Sequence, residues 1–346
     1  MRRILIIFPM LILLTIPVHA LDLTAPTVPK YAQSWMPEEP GNLRDGMREI
    51  FRNAVMMIRP DLKEASKVCI GITVCVIILS MLRSFHGTAE KIADLIGSVA
   101  VCGMLLRSTG SLVNLAADTV CQISEYGKLL LPVLATALAS QGGITTSSVL
   151  YAGTAMFDAI LSGVISDALI PLIYFYLAMS VALAATGEDM LKRMRDLMKS
   201  FMVWSLKTIL YIFTGFITIS GVVSGPTDAA ALKAARLTIS GMVPVVGGIL
   251  SDASEAVLVS AGTVKNAIGL YGMFAVAAIC LEPFVMIGCH HLLLKLTGGI
   301  CMVFSSKRIT ELIQDYASAM GILLGMTGAV SLMLLISTVC FMRGIG

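Results

Sequence analysis

The chain alternates long apolar runs with short polar breaks, and the lengths of those runs predict helices rather than strands. Runs over 68–82, 92–106 and 129–139, taken with their flanks, approach the roughly 20 residues an α-helix needs to cross a bilayer. The run 149–185 is long enough for two crossings, and Asp158, Asp167 and Pro171 mark where it would fold back as a hairpin. Further runs at 201–223, 267–287 and 320–342 bring the expected number of spans to about eight. The expected fold is all-α: a polytopic helical membrane protein with about eight transmembrane helices, and amphipathic or re-entrant helices beside them.

Ahead of these runs, residues 21–67 hold seven basic and seven acidic residues, so this segment belongs in water or at a membrane surface. Its start is Pro-rich (Pro26, Pro29, Pro37, Pro40), and apolar Met47, Ile50, Phe51, Val55 and Ile58 then recur at helical spacing. An amphipathic helix over 42–66 follows, suited to the outer membrane surface or to a partner. Residues 1–20 read as a secretory signal: Arg2 and Arg3, an apolar core over 4–17, and Val18-His19-Ala20 as a cleavage site. An uncleaved anchor is the competing reading, and both leave Leu21 onward on the exported side. The segments are then 1–20, 21–67, a first membrane region 68–223, a helical hairpin 224–266, and a C-terminal membrane region 267–346.

Composition agrees with a membrane protein. The chain is 57% hydrophobic and 14% charged, against about 25% charged residues in soluble domains. A net charge of +3 without a Lys/Arg run argues against nucleic acid as a partner. The eight cysteines sit in or beside apolar runs, where they act as small hydrophobes and imply no disulfide framework. Cys289-His290-His291 invites a metal reading, but adjacent helical residues point about 100° apart, so interfacial histidines fit better. No catalytic triad, zinc-protease motif or dinucleotide fingerprint is present, and neither enzyme activity nor a cofactor is expected.

Charge placement orients the spans. Counting one crossing per span from an exported start puts Arg83, Lys91, Lys192, Arg193, Arg195, Lys199, Lys295, Lys307 and Arg308 inside. They outnumber outside residues such as Arg107, Lys233, Arg236, Lys265 and Arg343, as the positive-inside rule asks. Within 188–200 (EDMLKRMRDLMKS), Met190, Leu191, Met194, Leu197 and Met198 face one way, which predicts a basic surface helix at the cytoplasmic headgroups.

Residues 227–266 are too small-sided and polar for a lipid-facing helix, yet too apolar for an ordinary loop. Two helical halves flank an apolar breaker over 241–248 that contains Pro244, Gly247 and Gly248. Ser251 or Asp252 is placed to cap the second half, which runs on through Lys265 and Asn266. Both a re-entrant hairpin and an amphipathic pair lying on the outer surface fit this pattern. A second polar stretch at 140–148 contains Gly142-Gly143 but lacks the Gly-Lys-Ser/Thr of a phosphate cradle, so it reads as a flexible connection or a close-packing point.

Four carboxylates fall within or at the edges of apolar runs: Asp94, Asp158, Asp167 and Glu282. A lone carboxylate in hydrocarbon costs about 2.5 kcal/mol or more and turns toward an interior cavity, which makes these residues candidates for pore lining or helix packing. For Asp94 and Asp167 an interfacial position that reaches water fits better than pore lining. Glu282 lies deepest, and Pro283 beside it frees a backbone carbonyl.

The passage LPVLATALASQGGITTSS over 131–148 and the long passage from Gly221 through TISGMVPVVGGILSDASEAVLVSAGTVKNAIGLYG to Gly272 resemble the stage III sporulation protein AE family. Gly142, Gly143, Pro244, Gly247, Gly248, Asp252, Lys265 and Asn266 are the motif positions in these passages. The resemblance implies a multi-pass subunit of the channel between mother cell and forespore, set in the mother-cell-derived membrane around the forespore. It implies as partners other membrane subunits, ring-forming intermembrane proteins and a cytoplasmic secretion-type ATPase, and it is compatible with a homo-oligomer. It carries over no catalytic residue. A secondary transporter with a broken-helix substrate site, or a non-conducting membrane scaffold, is the alternative function.

Overall fold

The computed structural model describes residues 25–34, 36, 43–57, 59–83, 88–242 and 247–343. The signal segment 1–20 lies outside the described residues, as do Pro244 and the side chains of 221–262. Among the described residues all regular structure is helical: a single turn (Lys30–Gln33), α1 (Leu43–Met57), α2 (Arg59–Arg83), α3 (Thr88–Ser140), α4 (Ile144–Gly163), a π-helical turn (Val164–Leu169), α5 (Ile170–Thr186), α6 (Asp189–Met242), α7 (Gly247–Phe304) and α8 (Lys307–Arg343). Helices satisfy every backbone group within the segment, which is what hydrocarbon requires.

Six stretches among the described residues are long and apolar enough to cross a membrane: Leu62–Met81, Leu95–Ser140, Ile144–Thr186, Asp189–Ser220, Lys265–Phe304 and Lys307–Arg343. The sequence predicts about eight, and two features account for the difference. The expected spans 92–106 and 129–139 are the two ends of one helix, α3. Its polar middle still places Leu112, Val113, Ala116, Val120 and Ile123 at helical spacing, all buried, so the chain never leaves the bundle. The run 149–185 does not fold back either. Proline lacks an N–H and its ring crowds the carbonyl four residues earlier, and at Pro171 the wider π turn just before it makes room for both while the helix continues.

Tight turns reverse the chain. Gly142, at φ 93°, follows α3 as the left-handed residue of a Schellman cap: the Gly143 N–H donates to Leu138 O at 3.2 Å and the Gly142 N–H to Ala139 O at 2.9 Å. The Gly142-Gly143 pair is thus a defined turn rather than a flexible connection. Gly187, at φ 76°, closes α5 with its N–H donating to Leu183 O at 2.7 Å. Ser306 caps α8, its hydroxyl accepting from the Ile309 N–H at 3.4 Å.

Antiparallel packing follows from these turns and fixes two ends. At one end Gly97 on α3 lies against Leu79 of α2 and Ile309 of α8, and the Ser98 hydroxyl donates to Ala184 O of α5 at 3.3 Å. Toward the other, Gly127 of α3 meets Leu334 of α8, Gly272 of α7 meets Leu130, and Phe157 of α4 stacks edge-on with Phe213 of α6 at 5.6 Å. The most buried of the six spans is α8, which touches α3, α4, α5, α6 and α7. Its buried Ser331, Ser337 and Thr338 hydroxyls donate to carbonyls one turn back, so they add no unmet polar groups. The amphipathic helix predicted over 42–66 appears as α1: Ile50 is buried against Phe274 and Ala277 of α7, while Met47 and Phe51 stay exposed.

Helix persists on both sides of the breaker in 227–266, through Met242 and again from Gly247. Each half extends a spanning helix.

Candidate functional site

The strongest polar assembly sits at the first end, where α5, α6 and α8 converge. Arg195 of α6 is 6% exposed, and its Nη1 donates to Asp315 Oδ2 of α8 at 2.7 Å. The Tyr176 hydroxyl of α5 donates to the other oxygen, Oδ1, at 3.0 Å. Arg195 Nε and Nη2 reach Asp196 Oδ1 at 3.0 and 2.8 Å, and Glu311 Oε2 lies 3.8 Å from Nη1. Lys192 approaches Glu311 at 3.6 Å, and the Lys199 ammonium donates to the Ser318 hydroxyl at 2.9 Å.

This arrangement corrects the reading of 188–200 as a plain surface helix. Arg195 shares its face with Leu191, Met198 and buried Met202, and that face turns into the bundle. Met190 and Leu197 point outward at 71% and 70% exposure. In a membrane the bundle interior receives the charge and the lipid receives the apolar side. The signal was present in the sequence as a cation at apolar spacing, but its partners Asp315 and Tyr176 could not be read from spacing alone.

A cavity of about 210 Å³ opens beside the network, lined among others by Gly187, Asp189, Lys192, Lys307, Arg308 and Glu311. The Arg308 guanidinium lies where a Cβ on Gly187 would stand, so the left-handed turn also makes room for that cation. Chemically the site is a clamp: a charged pair taken out of water holds only while both partners stay in place. It locks three helices in one register.

The predicted carboxylates do not converge. Asp158 of α4 is 3% exposed and accepts a 2.6 Å hydrogen bond from the Ser124 hydroxyl of α3, while its Oδ1 has no hydrogen-bond partner among the described residues. Asp167 lies on the π turn and is exposed. Glu282 is half-buried on α7 and Pro283 is buried within that helix. Asp94 is on α3, with its side chain outside the described residues. Of the motif positions, Gly142 and Gly143 build the turn, Gly247 and Gly248 open α7, Asp252 lies on α7, Lys265 is buried and Asn266 is exposed. The two histidines point apart: His290 Nδ1 lies 2.9 Å from Met286 O on its own helix, and His291 Nδ1 lies 2.7 Å from Ala317 O on α8.

The family model described as stage III sporulation protein AE matches residues 32–344. The chain belongs to the stage III sporulation protein AE family. Among curated proteins it is similar to stage III sporulation protein AE of Bacillus subtilis (strain 168), 23% identical over 265 residues. That match takes in 76% of this chain and 66% of the relative, so the chain spans just under two thirds of the relative's length. No solved structure matches. Within the family match lie both the Arg195–Asp315 clamp and the Gly142 turn, so the stage III sporulation protein AE assignment covers the whole described bundle from α1 to α8. The chain is a sporulation protein with the helices of a membrane protein.

Proposed function

We propose that the chain is an integral, non-enzymatic subunit of the channel between mother cell and forespore, required for late forespore development. Six membrane-length helices in a sporulation family are the observation that carries this reading. Six alternating crossings also preserve the orientation expected from charge. The 187–188 turn and the Ser305-Ser306 turn lie on one side, close to Lys192, Lys307 and Arg308. The positive-inside rule makes that side cytoplasmic, where a secretion-type ATPase would work. The 221–264 stretch then faces the space between the two forespore membranes, open to ring-forming proteins, and other membrane subunits would meet the bundle laterally.

Deleting the gene in a spore former tests the proposal. Forespores should complete engulfment and then lose late gene expression, and a fluorescent fusion should ring the engulfed forespore. Normal spore yield from the deletion strain would overturn it.

A further inference from the structure

The cavity beside the Arg195–Asp315 pair lies where one face of the bilayer meets water, and α2 shows the level. The crossing Leu62–Met81 is 20 residues long. At about 1.5 Å per residue it spans roughly 30 Å, the hydrocarbon thickness, so its two ends mark the boundaries. Gly97 of α3 lies against both Leu79 of α2 and Ile309 of α8, which brings Ile309 to the boundary at the Met81 end. Lys307 and Arg308 then stand among the headgroups, with Glu311 and Asp315 one and two turns deeper.

The cations of this cavity outnumber its carboxylates. Arg195 is held by Asp315 and Asp196, and Lys192 lies 3.6 Å from Glu311. Asp189, the remaining carboxylate on the wall, opens α6, where the helix dipole favours a negative charge. Lys307 and Arg308 line the same cavity, both are exposed, and neither has an ion-pair partner among the described residues. Two positive charges therefore stand at the wall of a polar cavity of about 210 Å³.

We propose that this cavity binds the phosphate group of an anionic phospholipid from the adjoining leaflet, held by Lys307 and Arg308. A basic cavity between spanning helices at headgroup level is the setting in which such lipids are recognised. A guanidinium meets two phosphate oxygens at once, and an ammonium adds a point charge. The Arg308 guanidinium is already folded over Gly187, which lines the cavity too, so the left-handed turn positions the cation. The surroundings select a lipid over a free phosphate: Met190, next to Asp189, and Val303, four residues before Lys307, are exposed apolar side chains at this end of the bundle, suited to acyl chains. A headgroup seated here would tie the α5–α6 turn to the α7–α8 turn. Only the naming of this leaflet as cytoplasmic rests on the orientation proposed above.

The test titrates the purified full chain, in a mild uncharged detergent, with phosphatidylglycerol and follows the apparent Tm. A saturating rise is expected, because a ligand bound to the folded chain stabilises it. Phosphatidylcholine and glycerol 1-phosphate at the same concentrations should give none. Lys307→Gln with Arg308→Gln should raise the half-saturating concentration roughly tenfold or more. Both side chains are exposed, so this variant keeps its fold, and Lys307→Arg, which preserves both charges, should respond like the wild type. Lys63→Gln with Lys67→Gln removes as much charge at the other end of α2 and should change nothing. No rise with phosphatidylglycerol, an equal rise with phosphatidylcholine, or an unchanged response in the Lys307, Arg308 variant would each overturn the proposal. So would an equal loss in the Lys63, Lys67 variant, or an equal rise with glycerol 1-phosphate, which would give the cavity to a soluble phosphate instead.

Discussion

Arg195 Nη1 and Asp315 Oδ2 meet at 2.7 Å across 120 residues of sequence, and the pair joins α6 to α8 at the end of the bundle where the basic residues gather. The pair is buried, so its two halves are not independent. Removing one leaves the other as an uncompensated charge, which costs about 3–5 kcal/mol, whereas replacing both with apolar groups is far milder. Arg195→Ala should therefore lower the apparent Tm in mild detergent strongly. Asp315→Asn should cost less, because an amide keeps the Tyr176 and Arg195 contacts in weakened form. The pair Arg195→Met with Asp315→Leu should recover most of the loss. Thermal unfolding of the four proteins checks this, and additive losses in the double variant would show that the two residues do not act as a unit.

Ser124 and Asp158 form the second buried pair, between α3 and α4, at 2.6 Å. A hydrogen bond to a buried carboxylate contributes about 1.5–3 kcal/mol. Ser124→Ala should destabilise by that amount in the wild-type background and by clearly less beside Asp158→Leu. A double-mutant cycle on thermal stability measures the difference.

Gly187 and Gly142 hold the two left-handed turns among the described residues, and they should differ in how they respond to alanine. At both positions a side chain costs about 1–2 kcal/mol of backbone strain. At Gly187 the new methyl group must also displace the Arg308 guanidinium. Gly187→Ala should therefore lower the apparent Tm more than Gly142→Ala, and Arg308→Ala should close most of that gap. Stability of the three single variants and the Gly187→Ala, Arg308→Ala double variant decides it.

Much of this fold was legible in the sequence, for reasons that also explain what was not. Apolar runs and helical spacing reveal an all-helical membrane chain because hydrocarbon admits few other backbones. The α1 helix was readable from Ile50 and its neighbours. The length of α3 was not, because Asn114, Asp118, Glu125 and Lys128 make its middle resemble a loop between two spans. Only the buried opposite face, Leu112 to Ile123, shows that it stays in the bundle. Asp158 stood out as a carboxylate in an apolar run, and it is buried. Asp315 did not stand out, since its meaning depends on Arg195 and Tyr176, both distant in sequence. Spacing reports which face a residue shares, and it cannot report which distant helix that face will meet.

The difference between six and about eight crossings has a consequence at a single turn. Both schemes put Glu188 on the cytoplasmic side and Ser254 on the exported side, so neither position separates them. Gln141 does. With 92–106 and 129–139 as separate spans, the chain crosses twice before 141 and once more on reaching it, which returns Gln141 to the cytoplasm. With α3 as one span, Gln141 follows the second crossing and is exported. Gln141 lies in the Schellman turn and is half-buried, so a neighbouring exposed position, Ser140, offers a second probe on the same turn. In a chain whose native cysteines are replaced, cysteine at Ser140, Gln141 or Ser254 should react with an impermeant maleimide on intact cells. Cysteine at Glu188 should react only after permeabilisation. Labelling of Ser254 but not of the 140–141 turn would restore the eight-span scheme and break α3 in two.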